Sequence, residues 1–294
     1  MKTRIIILSL LMTLCSIFSA CENQAVDITV TADITINTAS VLAPFIAYDS
    51  SDLDMYPDSK VRLTCLLYDA AGALINRQDI ALSDFSSSAN IQEKIGSQTY
   101  TLVVVASCVS GGSLLKPEYE AYSLTGVNNL NTLNIEQIKS DISKVFDSCW
   151  QVLGFGIQEN LTQSEYEPFM TLKPATALVY MNFRSIHASS NIDLYAIGWT
   201  SNNLMTFTQQ NAGFSCNVDG IYDECDIEPD RYTSENLYSL FSVFPGECRT
   251  VGASFTGNNI VDWKQNSVNV QAGHQYVFQY DCSAAALTIK EGRL

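Results

Sequence analysis

Apolar and polar residues alternate along many short stretches of the chain. Residues 26–38, VDITVTADITINT, alternate without interruption and predict a first strand or strand pair. Successive side chains of a strand point to opposite faces, so a period of two is typical of a half-buried sheet. The same signal predicts strands at 61–67, 99–106, 177–183, 192–199, 238–244, 267–270, 275–280 and 285–289. Because clusters of Gly, Asn, Asp and Ser separate these strands, the pattern favours β-sandwiches.

One stretch has the spacing of a helix instead. Its apolar residues recur three or four positions apart, at Ile135, Ile138, Ile142, Val145 and Phe146. Asn134 precedes them as a candidate cap, with Gln137 three residues on. We therefore expect one short helix, covering a sheet of the first domain.

The periodicity lapses between residues 154 and 174, a segment that contains Pro168 and Pro174. Linkers between domains tend to have this character. We therefore predict two β-sandwich domains in tandem, at residues 21–160 and 161–294, so that the fold class is mainly β.

The first twenty residues have the layout of a secretory signal peptide. Lys2 and Arg4 give a basic start, and an apolar run that is short for a membrane span follows at 5–18. The sequence Ile17-Phe18-Ser19-Ala20-Cys21 resembles a bacterial lipobox, with Phe18 where leucine is usual. We expect cleavage before Cys21 and lipidation of this cysteine, since several acyl chains anchor a protein stably. An ordinary leader with a chance cysteine is the alternative.

Charge narrows the classes of partner. The chain has 16 basic and 31 acidic residues, for a net charge of −15. Loss of residues 1–20 removes two of the basic residues and brings the net charge to −17. Such a surface repels phosphate backbones, so nucleic acid is not an expected partner.

Seven of the nine cysteines remain once Cys15 leaves with the leader and Cys21 carries lipid. Cys65 and Cys108 lie in apolar runs and are predicted as small core residues. Cys216 and Cys225 flank a predicted loop and are the candidates for a local disulfide. The wide spacing argues against zinc.

Catalytic chemistry is sparse. The chain has two histidines, His187 and His274, and no serine in a G-x-S-x-G setting. The acidic stretch at 219–230, DGIYDECDIEPD, offers oxygens to calcium but lacks the spacing of an EF-hand loop. We expect no enzyme, no metal and no cofactor. Tyr119, Tyr122, Tyr222 and Tyr232 are either surface aromatics that contact a glycan or a partner, or packing residues.

Several segments together resemble the fimbrillin-like lipoproteins of the Bacteroidales, which include shaft, anchor and tip subunits of fimbriae. Besides the lipobox and the alternating first strand, the segments are KVRLTCLLYDAAGAL, GSQTYTLVVVAS, TLKPATALVYMNF and VNVQAGHQYVFQYD. The resemblance spans most of the mature chain. It implies two transthyretin-like, Greek-key β-sandwich domains, and a lipid-anchored place on the outer membrane, facing the cell surface.

The resemblance also implies an adhesive or assembly role, in which other fimbrial subunits bind by strand addition and a host or bacterial surface ligand is a possible target. A surface glycan-binding lipoprotein is the alternative. Shaft subunits of this family lose their lipidated first strand to an arginine-specific protease. The present chain has no Arg or Lys from Glu22 to Ser59, and Arg62 lies in a predicted core strand. We therefore expect an anchor or accessory subunit that keeps Cys21.

Overall fold

The structure is a computed structural model. It describes residues 29–42, 60–82, 88–137, 153–184, 194–201, 204–208, 213–216, 221–225, 231–233, 236–255, 260–281 and 286–293. These residues form 22 strands in five sheets, and the protein is mainly β, as predicted.

The largest sheet has six strands, in the order β11-β9-β5-β2-β3, with β6 also paired to β5. Its strands are β2 (Lys60–Asp69), β3 (Leu74–Leu82), β5 (Tyr100–Ser110), β6 (Tyr119–Glu120), β9 (Leu153–Leu161) and β11 (Lys173–Pro174). A tight turn joins β2 to β3. Gly72 adopts a φ of 81° there, and the Asp69 carboxylate accepts hydrogen bonds from two backbone N–H groups of the turn.

A three-stranded sheet covers one face of the large sheet. It consists of β1 (Val30–Asn37), β4 (Ser88–Ile95) and β10 (Phe169–Thr171), in the order β10-β1-β4. Gly154 and Gly156 of β9 face this sheet. A Cβ at Gly156 would lie 2.8 Å from side-chain atoms of both Met170 and Leu172, so glycine permits the close approach of the two layers.

A four-stranded sheet covers the opposite face. It consists of β7 (Tyr122–Thr125), β8 (Asn134–Gln137), β14 (Leu204–Thr208) and β15 (Gly213–Cys216), in the order β15-β14-β8-β7. Phe155 of β9 points away from the face of Gly154, and its ring lies 4.9 Å from the ring of Phe214 on β15. A hairpin from the second half of the chain thus completes a sheet of the first half.

The predicted helix is wrong where it begins. Asn134–Gln137 is strand β8, paired with both β7 and β14, and the rest of the predicted helix lies outside the described residues. Leu133 and Ile135 are buried while Asn134 and Glu136 are not, which is the period of a strand. Pairing with a strand about 70 residues away overrides the local helical spacing. The described helical turns are instead at residues 39–42 and, as a 3-10 turn, at Leu130–Thr132.

Two further sheets contain only strands that begin at Ala177 or later. The five-stranded sheet has the order β17-β18-β12-β21-β22 and the four-stranded sheet the order β16-β13-β19-β20. Their strands are β12 (Ala177–Arg184), β13 (Leu194–Ser201), β16 (Ile221–Cys225), β17 (Arg231–Thr233), β18 (Asn236–Val243), β19 (Gly246–Phe255), β20 (Ile260–Val270), β21 (His274–Asp281) and β22 (Ala286–Arg293). Within the described residues, a strand lies at each position that alternation predicted, although β20 begins seven residues before the predicted start at residue 267.

The segment at 154–174 is not the unpaired linker that its weak periodicity indicated. It contains most of β9 together with β10 and β11, which pair with strands of the first two sheets. The weak periodicity comes from the two glycines of β9 and from a chain that changes sheets. The division at residues 160 and 161 stays a prediction.

Candidate functional site

The first strand lies in the middle of its sheet. All eight residues of β1 pair antiparallel with β4, and Thr35, Ile36 and Asn37 also pair in parallel with β10. The alternation seen in the sequence sets its orientation, because Ala32, Ile34 and Ile36 are buried in the core while Thr31 and Asp33 are exposed. Removal of β1 would therefore open an apolar slot between β4 and β10.

Side chains on the outer face add to this pairing. The Thr35 hydroxyl donates to Asn90 Oδ1 at 2.7 Å, and Gln92 Nε2 donates to Asp33 Oδ1 at 2.7 Å. The backbone N–H of Thr35 donates to Pro168 O at 2.8 Å. These bonds join β1 to both of its neighbours in addition to the strand ladders.

The residues after β1 are also built into the sandwich. Ser40 Oγ donates to Leu172 O at 2.6 Å, and Val41 and Leu42 are buried. A Cβ at Gly154 would overlap the Val41 side chain and lie 2.9 Å from Lys173 O. Residues 30–42 thus form one continuous part of the packed core.

Arg62 is the first arginine after Cys21, and it lies buried in β2, between β5 and β3. Its guanidinium donates to Glu120 Oε2 at 2.9 Å, to Leu114 O at 2.9 Å and to Ser107 Oγ at 3.2 Å. Lys60 is the first residue of β2 and pairs with Val109. The prediction that Arg62 belongs to a core strand is confirmed.

The lipidation residue, Cys21, lies outside the described residues, so its modification stays a prediction. No helix within the described ranges is long and apolar enough to cross a membrane. The predicted disulfide also stays a prediction. Cys216 ends β15 and Cys225 ends β16, and these strands belong to different sheets.

Cys65 and Cys108 are buried, as predicted for small core residues. Burial raises the pKa of the Cys65 thiol to about 12, and the nearby carboxylates of Glu93 and Asp79 act in the same direction. A thiol with so high a pKa stays protonated at neutral pH and is a poor nucleophile.

The predicted chemical groups do not converge. His274 begins β21, and its Nδ1 lies 2.6 Å from Glu291 Oε1 on the neighbouring strand, while His187 lies outside the described residues. In the acidic stretch, Asp223 and Glu224 belong to β16, and Asp219, Asp226, Glu228 and Asp230 are not described. Among the described side chains, no group of three or more His, Cys, Asp or Glu could hold a metal ion.

Tyr122 is a packing residue and not a surface aromatic. It is buried, its ring lies 5.7 Å from that of Phe244, and burial raises the pKa of its phenol despite a hydrogen bond with Ser242. The side chains of the other three tyrosines lie outside what the structure describes. The sequence analysis did not identify Phe169, an exposed aromatic residue. Phe169 follows Pro168 and begins a strand of three residues, which is too short to show alternation.

Several solved structures share this fold. A candidate adhesin from Bacteroides thetaiotaomicron matches with a TM-score of 0.52 at 8% identity, over 89% of this chain and 96% of the other. The tip fimbrial protein Mfa3 from Porphyromonas gingivalis, with a C-terminal truncation, matches with a TM-score of 0.50 at 9% identity, over 90% and 99%. A candidate polysaccharide-binding protein from Bacteroides thetaiotaomicron matches with a TM-score of 0.51 at 14% identity, over 90% and 98%.

Neither a protein-family model nor a curated protein matches the chain. At identities this low, the matches show a common fold. The resemblance to fimbrillin-like proteins is confirmed at that level, because the similar structures include candidate adhesins and a fimbrial protein of the Bacteroidales. Those proteins belong to adhesion and fimbrial classes and not to enzymes.

Proposed function

We propose that this chain is a lipid-anchored subunit of a fimbria or adhesive structure on the cell surface, and that it keeps its own first strand in the assembly. The observation that supports this proposal most strongly is the position of β1. It fills the middle of its sheet, and the first arginine that could release it, Arg62, is buried in a neighbouring sheet.

The fold supports the adhesive part of this proposal, because the proteins that share it over about nine-tenths of the chain include candidate adhesins and a tip fimbrial protein. The lipobox-like sequence ending at Cys21 supports the anchor. A subunit that keeps β1 has no vacant slot between β4 and β10, so it is an end-point of assembly and not a repeating shaft unit. It would bind other subunits by strand addition at another edge.

Cross-linking on intact cells tests this role. An affinity-tagged copy should recover fimbrial subunits, and a Cys21→Ala copy expressed at the same level should lose them from the cell-surface fraction. Recovery of no fimbrial subunit by the lipidated protein would contradict the assembly role.

The alternative function, that of a glycan-binding surface lipoprotein, is compatible with the fimbrial role. A fimbrial subunit can itself carry a sugar site, and one of the proteins with this fold is a candidate polysaccharide-binding protein. Exposed aromatic side chains next to polar groups are the feature that would favour sugar binding.

A further inference from the structure

The chain changes sheets between β10 and β11. Lys173 and Pro174 pair with Phe155 and Gly154 of β9, so this end belongs to the six-stranded sheet. The N–H of Leu172 instead donates to Asn37 O at 2.9 Å, and β10 pairs with β1. The segment at 169–174 therefore pairs with β9 only at Phe155 and Gly154. Farther along β9, toward Leu161, the two segments diverge.

A cavity of about 210 Å³ lies where the two strands diverge. Half of its lining residues are apolar and half are polar or charged. They are Phe155, Ile157, Phe169 and Met170 on the one hand, and Gln158, Glu167, Thr171 and Lys173 on the other. Ligand sites commonly combine apolar walls with a few polar groups in this way.

Gln158 lines the cavity, and its side-chain amide has an unsatisfied oxygen. Its Oε1 is buried and has no hydrogen-bond partner among the described residues. A buried polar atom without a partner costs about 1–3 kcal/mol, and such groups are rare unless they have a role. Rotation of the amide about its last torsion would turn this oxygen toward a ligand in the cavity, where a hydroxyl could donate to it.

Phe169 is the most exposed of the large apolar side chains that the structure describes, at 70%. Phe169, Glu167 and Lys173 all line the cavity. An aromatic face next to hydrogen-bonding groups suits a ligand with one apolar face and a polar rim. A pyranose ring has this character, with C–H bonds on one face and hydroxyls around its edge.

We propose that this cavity binds a single neutral sugar ring of a glycan, with Phe169 against its C–H face and the Gln158 amide bonded to its hydroxyls. Neutrality follows from the lining, where Glu167 and Lys173 contribute one charge of each sign. The cavity is smaller than the roughly 300–1,000 Å³ of a drug-sized site, so it takes one ring.

An extended peptide fits the same place less well. Added strands need a straight run of edge backbone, but β11 already pairs with Gly154 and Phe155 at this edge of β9. Farther along, the pairing of β9 with β5 is irregular, and Asn160 has a φ of 57°. The proposal rests on the alternative function given above, glycan binding, for which it names a site, and it does not depend on whether Cys21 is retained.

Saturation-transfer NMR with the full chain in a sugar-free detergent tests the site. The probes are free glucose, galactose, mannose, fucose, N-acetylglucosamine and N-acetylgalactosamine. We expect at least one to receive saturation, most strongly at its ring C–H protons. We expect its affinity to fall at least tenfold in Phe169→Ala and in Gln158→Leu.

The control is Ile75→Ala, which removes a 52% exposed side chain from β3, at the opposite edge of the same sheet. Its affinity should stay within twofold of the parent. Gln158→Leu removes an unsatisfied oxygen and should fold, so it carries the test if Phe169→Ala does not. Binding by none of the six sugars, or unchanged binding in both variants, would overturn the proposal. So would binding of an extended Val-Thr peptide in their place.

Discussion

The Nη2 atom of Arg62 lies 2.9 Å from Oε2 of Glu120, and the side chain of Arg62 is only 5% exposed. A trypsin-like protease inserts an arginine side chain into a specificity pocket, which requires that the side chain be free. Arg62 instead donates to three groups inside the fold. The buried ion pair therefore makes the first arginine after Cys21 a structural residue and not a processing site.

Removal of the Glu120 carboxylate should destabilise the protein. Glu120→Ala leaves the buried guanidinium without its counter-charge, and we expect a loss of about 2 kcal/mol in the free energy of unfolding, because Glu120 is itself 23% exposed. Glu118→Ala changes an exposed residue just before β6 and should alter the free energy of unfolding by less than about 0.5 kcal/mol. Denaturant titration measures both, and equal effects would contradict the structural role of the pair.

A second buried charge joins two layers of the sandwich. Glu93 of β4 is 1% exposed, and its carboxylate accepts hydrogen bonds from Gln78 Nε2 at 2.6 Å and Asn76 Nδ2 at 2.9 Å, both on β3. Burial raises its pKa from an ordinary value of 4.5, although the two amide donors act in the opposite direction. Nearby, Asp79 is paired with Arg77.

This group should make stability fall with rising pH. Because the pKa of Glu93 is higher in the folded chain, the folded state binds its proton more tightly than the unfolded state does. The resulting stabilisation is complete below about pH 4.5 and is lost as pH rises through the raised pKa. Glu93→Gln should remove this slope, so that the variant gains on the parent as the pH rises above about 4.5 and through the raised pKa. A constant difference between their unfolding free energies would show that Glu93 does not titrate in this way.

The contact between β9 and residues 38–42 depends on glycine. In Gly154→Ala the new methyl group would overlap Val41 and press on Lys173 O, whereas the atoms nearest to the methyl group of Gly156→Ala belong to the side chains of Met170 and Leu172. We expect Gly154→Ala to cost about 1–3 kcal/mol and Gly156→Ala less, since flexible side chains move more easily than backbone. Thermal unfolding of the two variants checks the order, and the reverse order would argue against this packing.

Local patterns predicted the strands well because alternation is a property of neighbours along the chain. Residues 61–67 became β2, and residues 99–106 became most of β5. The partners of a strand often lie far away in the sequence, and these distant pairings explain the predictions that were wrong. The spacing of Ile135 and the apolar residues after it predicted a helix, but Ile135 pairs with Met205 of β14 and therefore lies in a strand.

The hairpin of β14 and β15 belongs to the second half of the chain but pairs with β8 of the first half, so each half depends on the other. If a protease recognition site is inserted after Glu165, in the exposed loop between β9 and β10, cleavage should leave both fragments together on size exclusion. The reasons are the pairing of β8 with β14 and the packing of Tyr122 against Phe244. Separation into two folded fragments would instead support independent domains divided near residues 160 and 161.

The sites were less predictable than the strands. The importance of Arg62 could be inferred, because the absence of earlier basic residues is visible in the sequence. The cavity could not, since Gln158 and Phe169 line one cavity only because the chain changes sheets at Leu172. A pair of glycines spaced as in Gly154 and Gly156 was the one local sign that another layer approaches β9 closely.

The amino terminus of the protein recovered from cells tests the central claim most directly. Mass spectrometry of the purified surface form should find a chain that begins at an acylated Cys21 and still contains β1. A Cys21→Ala copy should show no acyl group and should leave the membrane fraction. A free terminus anywhere between residues 38 and 62 would mean that β1 is removed, and it would contradict the account.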